Sequence, residues 1–365
     1  MNKKILIGAP PKHHVLLAMD EMHGLEDIGY TCKVITYGRN DQSISNLNKL
    51  FGVVGNAFNI VFTLYKFSPD LLYLNSRFEP VATSRDFLTL LIVKTFYLKK
   101  IKVAIKTHGS DPSILEKKSF LYKNCIVPFV LKHVDIWFFL SKDEKNIIEG
   151  YYPNIADKIF TTCNIIDPAR SVASLEFRKR YGLEENKFKI LFVGRIVKEK
   201  GVFSLLKSIP NLDFRSNCTF IFVGDGPDLE GLKSLALTLN VSEYVRFLGF
   251  IPDAECDNFY ANADLLVFPT YYNEGFPMAL FKSISAGLPV ITTKIRAAKD
   301  HLNSPDNVLW VEKDSAESVA AAITKLYLNE NLRNTMTKNN KALGKEFSKS
   351  EVCLKMSEAL DSIQV

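Results

Sequence analysis

Short apolar runs alternate with longer amphipathic segments along almost the whole chain. Short apolar runs bounded by polar turns read as buried strands, and the intervals between them are long enough for helices. In the first half this pattern predicts strands over residues 4–8, 31–36, 71–75, 102–107 and 136–141. In the second half it predicts strands over 189–194, 219–224, 245–249, 264–269, 289–293 and 308–311. Helices fill the intervals, for example 201–209, 228–239 and 317–328, with Asp314 and Glu317 as a capping box for the last. Such alternation is how a parallel sheet covered by helices reads. Residues 167–187 are polar and charged and mark a linker between two doubly wound domains with a cleft between them. Ligands of such sheets sit beyond the carboxyl ends of the strands.

Length and composition fit this organisation. A chain of 365 residues is too long for one ordinary domain and fits two. With 47% hydrophobic and 24% charged residues it is globular. The cysteines at 32, 125, 163, 218, 256 and 353 are scattered without a Cys-x-x-Cys pair, which favours reduced thiols over a disulfide framework or a zinc site. The apolar stretch after Met1 stops at Ile7, and Pro10, Pro11, Lys12, His13 and His14 follow. That is a first strand and its loop, not a signal peptide. No apolar run is long enough to span a membrane, so a cytoplasmic protein is expected.

Charge changes the picture in the first half only. Residues 1–170 hold 22 Lys/Arg against 16 Asp/Glu, a net of +6, and residues 171–365 hold 24 against 24, a net of zero. Five lysines lie between Lys94 and Lys106, among Phe96, Tyr97, Leu98, Ile101, Val103 and Ile105. A solvated face is the ordinary reading; attraction to an anionic membrane or a phosphate-bearing acceptor is the functional one. Segments 48–67 and 86–98 are apolar enough to raise membrane contact, although buried core helices explain most such segments. There is no RNA-binding signature and no zinc spacing, so no nucleic-acid partner is expected.

Three loops carry candidate chemistry. Phe192-Val-Gly194-Arg195-Ile-Val-Lys-Glu-Lys200-Gly201 ends a strand and opens a helix. Arginine offers a planar fork to phosphate oxygens and lysine a point charge, at a helix start that already favours anions. Lys198 reads as solvated. Phe222-Val-Gly-Asp225-Gly-Pro227 follows the next strand, with Asp225 as a cap for the helix after it. Phe268-Pro-Thr-Tyr-Tyr-Asn-Glu274-Gly275-Phe276-Pro277 is the third. There Gly275 permits an unusual backbone angle, Pro277 suits the first helical position, and an ionised Glu274 can accept hydrogen bonds from hydroxyls. Cations, bare amides and one carboxylate beyond the strands of one sheet suit a diphosphate joined to a polyhydroxy group.

The combination of FVGRIVKEKG, FVGDGP and NEGFPMALFKSISAGLPV resembles the retaining glycosyltransferases of family 4, glycosyl transferases group 1, which adopt the GT-B fold. The resemblance covers the second half in order and extends more loosely through Thr107-His108-Gly-Ser-Asp111; residues 347–363 resemble the family's tail. It implies two Rossmann-like domains with a cleft between them, an acceptor domain over 1–168 and a sugar-nucleotide donor domain over 169–345, and a C-terminal helix over 346–365 that returns to the first. It implies that Arg195 and Lys200, with Gly194, bind the donor diphosphate, and that Glu274 binds hydroxyls of the transferred sugar. The amides after Gly275, through Phe276, Pro277 and Met278, would assist, Phe250 would help hold the base, and His108 would lie beside the reacting sugar.

The implied function is retaining transfer from a nucleoside-diphosphate sugar to a glycan or lipid-linked acceptor in bacterial surface polysaccharide synthesis. Peripheral contact with the cytoplasmic face of the inner membrane is part of that expectation. No Asp-x-Asp pair occurs, so no metal or other cofactor is expected. The chain departs from the family twice. Gly8-Ala-Pro-Pro11 lacks the second of the paired glycines common in the first loop. Lys282 stands eight positions after Glu274, where the family has a second glutamate for the ribose hydroxyls. A lysine offers donors and no acceptor. Lys282 could donate to ribose oxygens or add a third cation, and its charge would be unfavourable unless an anion is bound. It keeps open a second reading, a catalytically impaired GT-B subunit that binds a partner enzyme or glycan. A third, a non-transferring GT-B enzyme such as a sugar-nucleotide epimerase, is opposed by the arginine–lysine loop together with Glu-Gly-Phe-Pro.

Overall fold

The computed structural model describes residues 3–11, 13–37, 46–110, 115, 120–166, 173–272 and 274–362, with the backbone alone at 13 and 46–49. By packing it divides into two units. The first is Met1–Ile165, Glu274–Phe276 and Lys349–Val365; the second is Ile166–Asn273 and Pro277–Ser348.

The first unit is a parallel sheet of six strands: β1 (Lys4–Ala9), β2 (Thr31–Thr36), β3 (Leu71–Phe78), β4 (Lys102–Ser110), β5 (Ile136–Phe139) and β6 (Ile159–Thr161). Their order is β2-β1-β3-β4-β5-β6. Between them run α1 (His13–Asp27), α2 (Asn46–Phe67), α3 (Pro80–Phe96), α4 (Val127–His133) and α5 (Lys142–Tyr151). Successive strand side chains point to opposite faces. Ile5, Ile7, Tyr73, Ala104 and Phe138 therefore join one core, and Leu6, Leu72, Leu74, Val103, Ile105 and Trp137 the other. With both faces covered, residues 5–7 of β1, 71–74 of β3 and 103–105 of β4 read as continuous apolar runs rather than alternating ones. Edge strand β2 alternates between half-buried and exposed positions.

The second unit opens with α6 (Leu175–Arg180) and repeats the plan. Its strands are β7 (Phe188–Val193), β8 (Cys218–Val223), β9 (Val245–Gly249), β10 (Leu265–Phe268), β11 (Val290–Thr292) and β12 (Val308–Trp310), ordered β12-β11-β10-β7-β8-β9. Helices α7 (Val202–Ser208), α8 (Leu229–Thr238), α9 (Asp253–Asn262), α10 (Met278–Ala286), α11 (Arg296–His301), α12 (Ala316–Leu328) and α13 (Glu330–Gly344) cover it. The strand order reverses between β7 and β10, and a crevice opens at such a switch point beyond the strand ends. Helix α14 (Lys349–Asp361) returns to the first unit, where Val352, Cys353 and Met356 enter the core with Ile5 and Ile7. A Cβ on Gly24 of α1 would lie 2.5 Å from Cys353 Sγ, so only glycine lets the two helices approach this closely.

Several expectations need correction. Strand β6 is only three residues long, too short to show a period. Strand β4 runs to Ser110, so His108 lies within a strand rather than in a loop; Asp111 is outside the described residues. Part of the expected linker is helix α6, capped by Ser174 and packed through Phe177 and Tyr181 against Phe259 of α9. Helix α12 is capped by Ser315, whose hydroxyl accepts from Ser318 N–H, and not by Asp314, which adopts a left-handed φ of 54°. Leu50–Phe67 of α2 is long and apolar enough to cross a membrane, although Asn56, Asn59 and Lys66 interrupt the run in sequence. The lysines from 94 to 106 are not one solvated face. Lys106 is fully buried, Lys102 pairs with Asp135 at 3.4 Å, and Lys94 Nζ donates to Ile101 O at 3.2 Å.

Candidate functional site

In the second unit the loops beyond four adjacent strands are stitched together by backbone hydrogen bonds. After β7, Ile196 N donates to Asp225 O at 2.9 Å, and Asp228 N donates back to Ile196 O at 3.2 Å. Gly224 N donates to Gly249 O at 2.8 Å, which ties the β8 loop to the end of β9. Tyr271 N donates to Glu199 O at 2.8 Å, which ties the β10 loop to the β7 loop. Glycine is required where these backbones meet. A Cβ on Gly224 would lie 1.9 Å from Gly194 O, and one on Gly201 2.3 Å from Pro269 O. The first two loops and the start of the third, through Tyr271, therefore form one surface at the switch point, with Gly194 at its centre. Glu274, Gly275 and Phe276 of the third loop group with the first unit instead.

The two cations on it differ in setting. Arg195 is exposed and pairs with no carboxylate among the described residues. Lys200 is only 7% exposed, with Nζ 5.3 Å from the Phe268 ring centroid and 5.1 Å from that of Tyr272. Aromatic faces attract a cation electrostatically, so the rings aim this ammonium along the end of β10. Sequence reasoning placed Lys200 at the helix entrance as a phosphate-binding cation and did not foresee the rings, since Phe268 and Tyr272 belong to the third loop, far from Lys200 in sequence. Lys198 is exposed, as expected. Asp225 does not cap α8: its carboxylate accepts from Gly226 N–H, and Asp228 stands at the cap position.

Pro277 is the residue before helix α10, one position earlier than expected, and Leu280 N and Phe281 N donate to its carbonyl. Met278 follows as the first helical residue, half-buried. Phe250, after β9, is 74% exposed. Lys282 is not an uncompensated charge. Its Nζ donates to Asp257 Oδ1 of α9 at 3.0 Å, in a pair that is partly buried on both sides. The expectation that its charge is unfavourable without a bound anion is thereby corrected.

His108, Glu274, Gly275 and Phe276 group with the first unit. Glu274 is half-buried; Gly275 and Phe276 are buried. Gly275 does not adopt the left-handed φ expected of it, and its lack of a Cβ matters instead for close packing, since a Cβ would meet Glu144 Oε1 at 3.2 Å. His108 is buried, with Nε2 against Oδ1 of Asn75, a pairing that places the ring proton on Nε2. Its ring lies 5.4 Å from that of His14. Burial, then the charge of Lys106, then His14 hold its pKa well below the ordinary value of 6.5, so the imidazole is neutral. The unfolded chain takes up this proton near pH 6.5 and the native state does not. Stability from this group is therefore fully present above that pH and declines as pH falls below it. Thermal unfolding followed over that range should show a smaller decline for His108→Gln than for the wild type. Equal slopes would mean that His108 titrates normally in the fold.

A cavity of about 600 Å³ also lies in the first unit, lined by Pro10, His14, Leu50, Val53, Arg77, Glu79 and Arg85 among others. No sequence motif announced it, because its lining comes from three separate segments. Among the described residues no group of three or more His, Cys, Asp or Glu could hold a metal ion.

Two parallel doubly wound units with a terminal helix returned to the first define the GT-B class. Comparison with known proteins agrees. Residues 174–343 match the family described as glycosyl transferases group 1. It is 28% identical over 306 residues to the uncharacterized glycosyltransferase MJ1069 of Methanocaldococcus jannaschii, covering 80% of this chain and 76% of that one. It is 30% identical over 170 residues to a GDP-mannose-dependent alpha-(1-6)-phosphatidylinositol monomannoside mannosyltransferase of Mycobacterium tuberculosis, covering 45% and 43%. Across four M. jannaschii relatives the match spans 53% to 76% of their length. The structure of Anabaena Alr3699/HepE in complex with UDP superposes with a TM-score of 0.76 at 16% identity, over 99% of this chain and 100% of that one, which shows the shared fold.

Proposed function

We propose that the protein transfers a sugar, with retention, from a nucleoside-diphosphate sugar to a glycan or lipid-linked acceptor in surface polysaccharide synthesis. The observation that carries this reading is the stitched surface beyond β7, β8, β9 and β10, which presents Arg195 and Lys200 at the switch point of a group 1 domain. Breaking the bond between sugar and diphosphate places negative charge on the leaving oxygen and positive charge on the ring. Arg195 and Lys200 stabilise the first, and losing one such donor costs about 3 kcal/mol of barrier. Glu274 accepts from hydroxyls of the transferred sugar, and neutral His108 contributes a polar, uncharged contact to the reacting sugar. The amides of Phe276 and Met278 after Gly275 border the phosphates, Pro277, which has no N–H, sets the backbone between them, and Phe250 supports the base. The acceptor attacks from the leaving-group face and the departing phosphate takes its proton. No metal or other cofactor is needed for this charge balance. The UDP complex of the Anabaena protein supports a nucleoside diphosphate as the donor group. The phospholipid-linked substrate in the name of the mycobacterial relative supports a lipid-linked acceptor. We assign that acceptor to the cavity lined by Arg77 and Arg85, where Arg77 pairs with Glu79 at 3.8 Å and Arg85 with Asp86 at 2.9 Å beside the apolar walls of Leu50 and Val53.

The second reading, an impaired subunit that binds a partner enzyme or glycan, is favoured by Lys282, which the Asp257 pair settles where the family has a carboxylate. Calorimetry separates the two. The wild type should bind a nucleoside diphosphate and hydrolyse a matching sugar donor. Lys282→Glu alone would set two carboxylates face to face and lose about 1 kcal/mol of stability. Combining it with Asp257→Lys should restore stability and shift preference among nucleotides. Absence of nucleotide binding in the wild type, with binding gained in the swapped pair, would leave the impaired reading standing.

A further inference from the structure

Helix α2 is apolar on both sides. Ala57, Ile60, Val61 and Leu64 are buried in the core of the first unit. On the opposite side Phe51, Phe58, Phe62 and Tyr65 are 71%, 43%, 67% and 43% exposed. Their spacing places them in one stripe along the helix. The end of α3 and the turn after it extend that stripe. The Phe58 and Phe96 rings lie 5.1 Å apart, and the Tyr65 hydroxyl donates to Phe96 O at 3.0 Å and accepts from Leu98 N–H at 3.1 Å. These contacts leave Phe96 50% and Leu98 86% exposed. Soluble proteins scatter exposed apolar residues singly, and a contiguous set marks an interaction surface.

Charge identifies what the surface meets. Residues 46–67 and 87–110 contain no Asp or Glu. Lys66, Lys99 and Lys100 stand exposed at the end of the stripe, next to Tyr65 and Leu98. An aromatic stripe rimmed by lysines and free of acidic residues fits the boundary between acyl chains and anionic headgroups. Spanning the bilayer is ruled out, because removing α2 from the unit would strip Ala57, Ile60, Val61 and Leu64 out of the core. The helix therefore lies on the membrane.

We propose that the exposed face of α2, with Phe96 and Leu98, seats the protein on an anionic lipid surface. Phe51, Phe58 and Phe62 enter the interface while Lys66, Lys99 and Lys100 meet lipid phosphates. This deepens the reading of a lipid-linked acceptor and rests on it for its purpose, although docking itself requires no donor. The full chain should co-sediment with vesicles of phosphatidylcholine and phosphatidylglycerol, far less with phosphatidylcholine alone, and binding should fall steeply with salt. Phe62→Ser combined with Leu98→Ser should weaken binding about tenfold or more, since both side chains are largely exposed in water and buried in lipid. Lys99→Gln and Lys100→Gln should each weaken it about fivefold.

Both sets of variants should bind nucleoside diphosphate as the wild type does, which also shows that they are folded. Vesicle binding by a protein that binds no nucleotide would support the docking face and count against the transferase reading. Failure to bind anionic vesicles, or binding unaltered by the Phe62 and Leu98 changes, would overturn the docking face. So would a solution dimer that those same changes dissociate, because a second copy would then be what covers it.

Discussion

Replacing Arg195 by alanine should lower turnover about 10²–10³-fold, the usual effect of removing one preorganised donor to developing charge, and leave thermal unfolding unchanged. The side chain is exposed and pairs with no carboxylate among the described residues, so its removal leaves neither a cavity nor an orphaned partner. Lys200→Ala should be equally damaging to turnover, yet it should also lower stability. Lys200 is buried, and its ammonium lies against the rings of Phe268 and Tyr272, a contact of about 1 kcal/mol. Lys200→Met separates the two effects by keeping an apolar stem between the rings without the charge. It should recover most of the stability and none of the turnover. Affinity for nucleoside diphosphate should drop in all three variants. If it is unchanged in Arg195→Ala and Lys200→Met alike, the diphosphate does not bind at this loop.

The fold was largely legible because both sheets are buried on two faces. Runs such as Leu71-Leu72-Tyr73-Leu74 stay apolar without interruption, and no other element reads that way so often in one chain. What escaped was short or depended on tertiary partners. Three-residue β6 carries no period, and α6 is polar enough to pass for a linker until Phe177 and Tyr181 meet Phe259. The loop motifs of the second unit were legible as a group, since glycines and cations following strands leave a local pattern. The settings of the individual side chains were not. Nothing near Lys282 in sequence points to Asp257, which lies on a different helix, and nothing near Lys200 fixes how far it is buried. The stretch from Lys94 to Lys106 shows the limit most clearly. Its lysines look alike in sequence, yet strand position sends Lys106 inward while the turn leaves Lys99 and Lys100 in solvent.

Lys106 is the basis of the second large effect. Its Nζ lies 2.6 Å from Glu21 Oε1, with the two side chains 0% and 2% exposed. The same ammonium donates to Cys163 O at 2.8 Å, and Tyr73 donates to the other Glu21 oxygen at 2.9 Å. The pair is thus hydrogen-bonded on both sides, the condition under which a buried ion pair can offset its desolvation. Removing one partner leaves an uncompensated charge in the core, so Glu21→Ala should destabilise the fold by about 3–5 kcal/mol in denaturant unfolding. Replacing both, Glu21→Met with Lys106→Met, should be close to neutral, because well-packed apolar side chains avoid the desolvation altogether. A loss under about 1 kcal/mol for Glu21→Ala would show that water or another group compensates Lys106. The double replacement also bears on the candidate site. Lys106 is one of the charges that depress the pKa of His108, second to burial. In the double variant that pKa should rise part of the way towards 6.5, read from the imidazole proton resonances, while burial holds the remainder of the shift. A buried pair that can be removed without loss of stability, but not without altering the histidine beside it, would have its purpose in the site rather than in the fold.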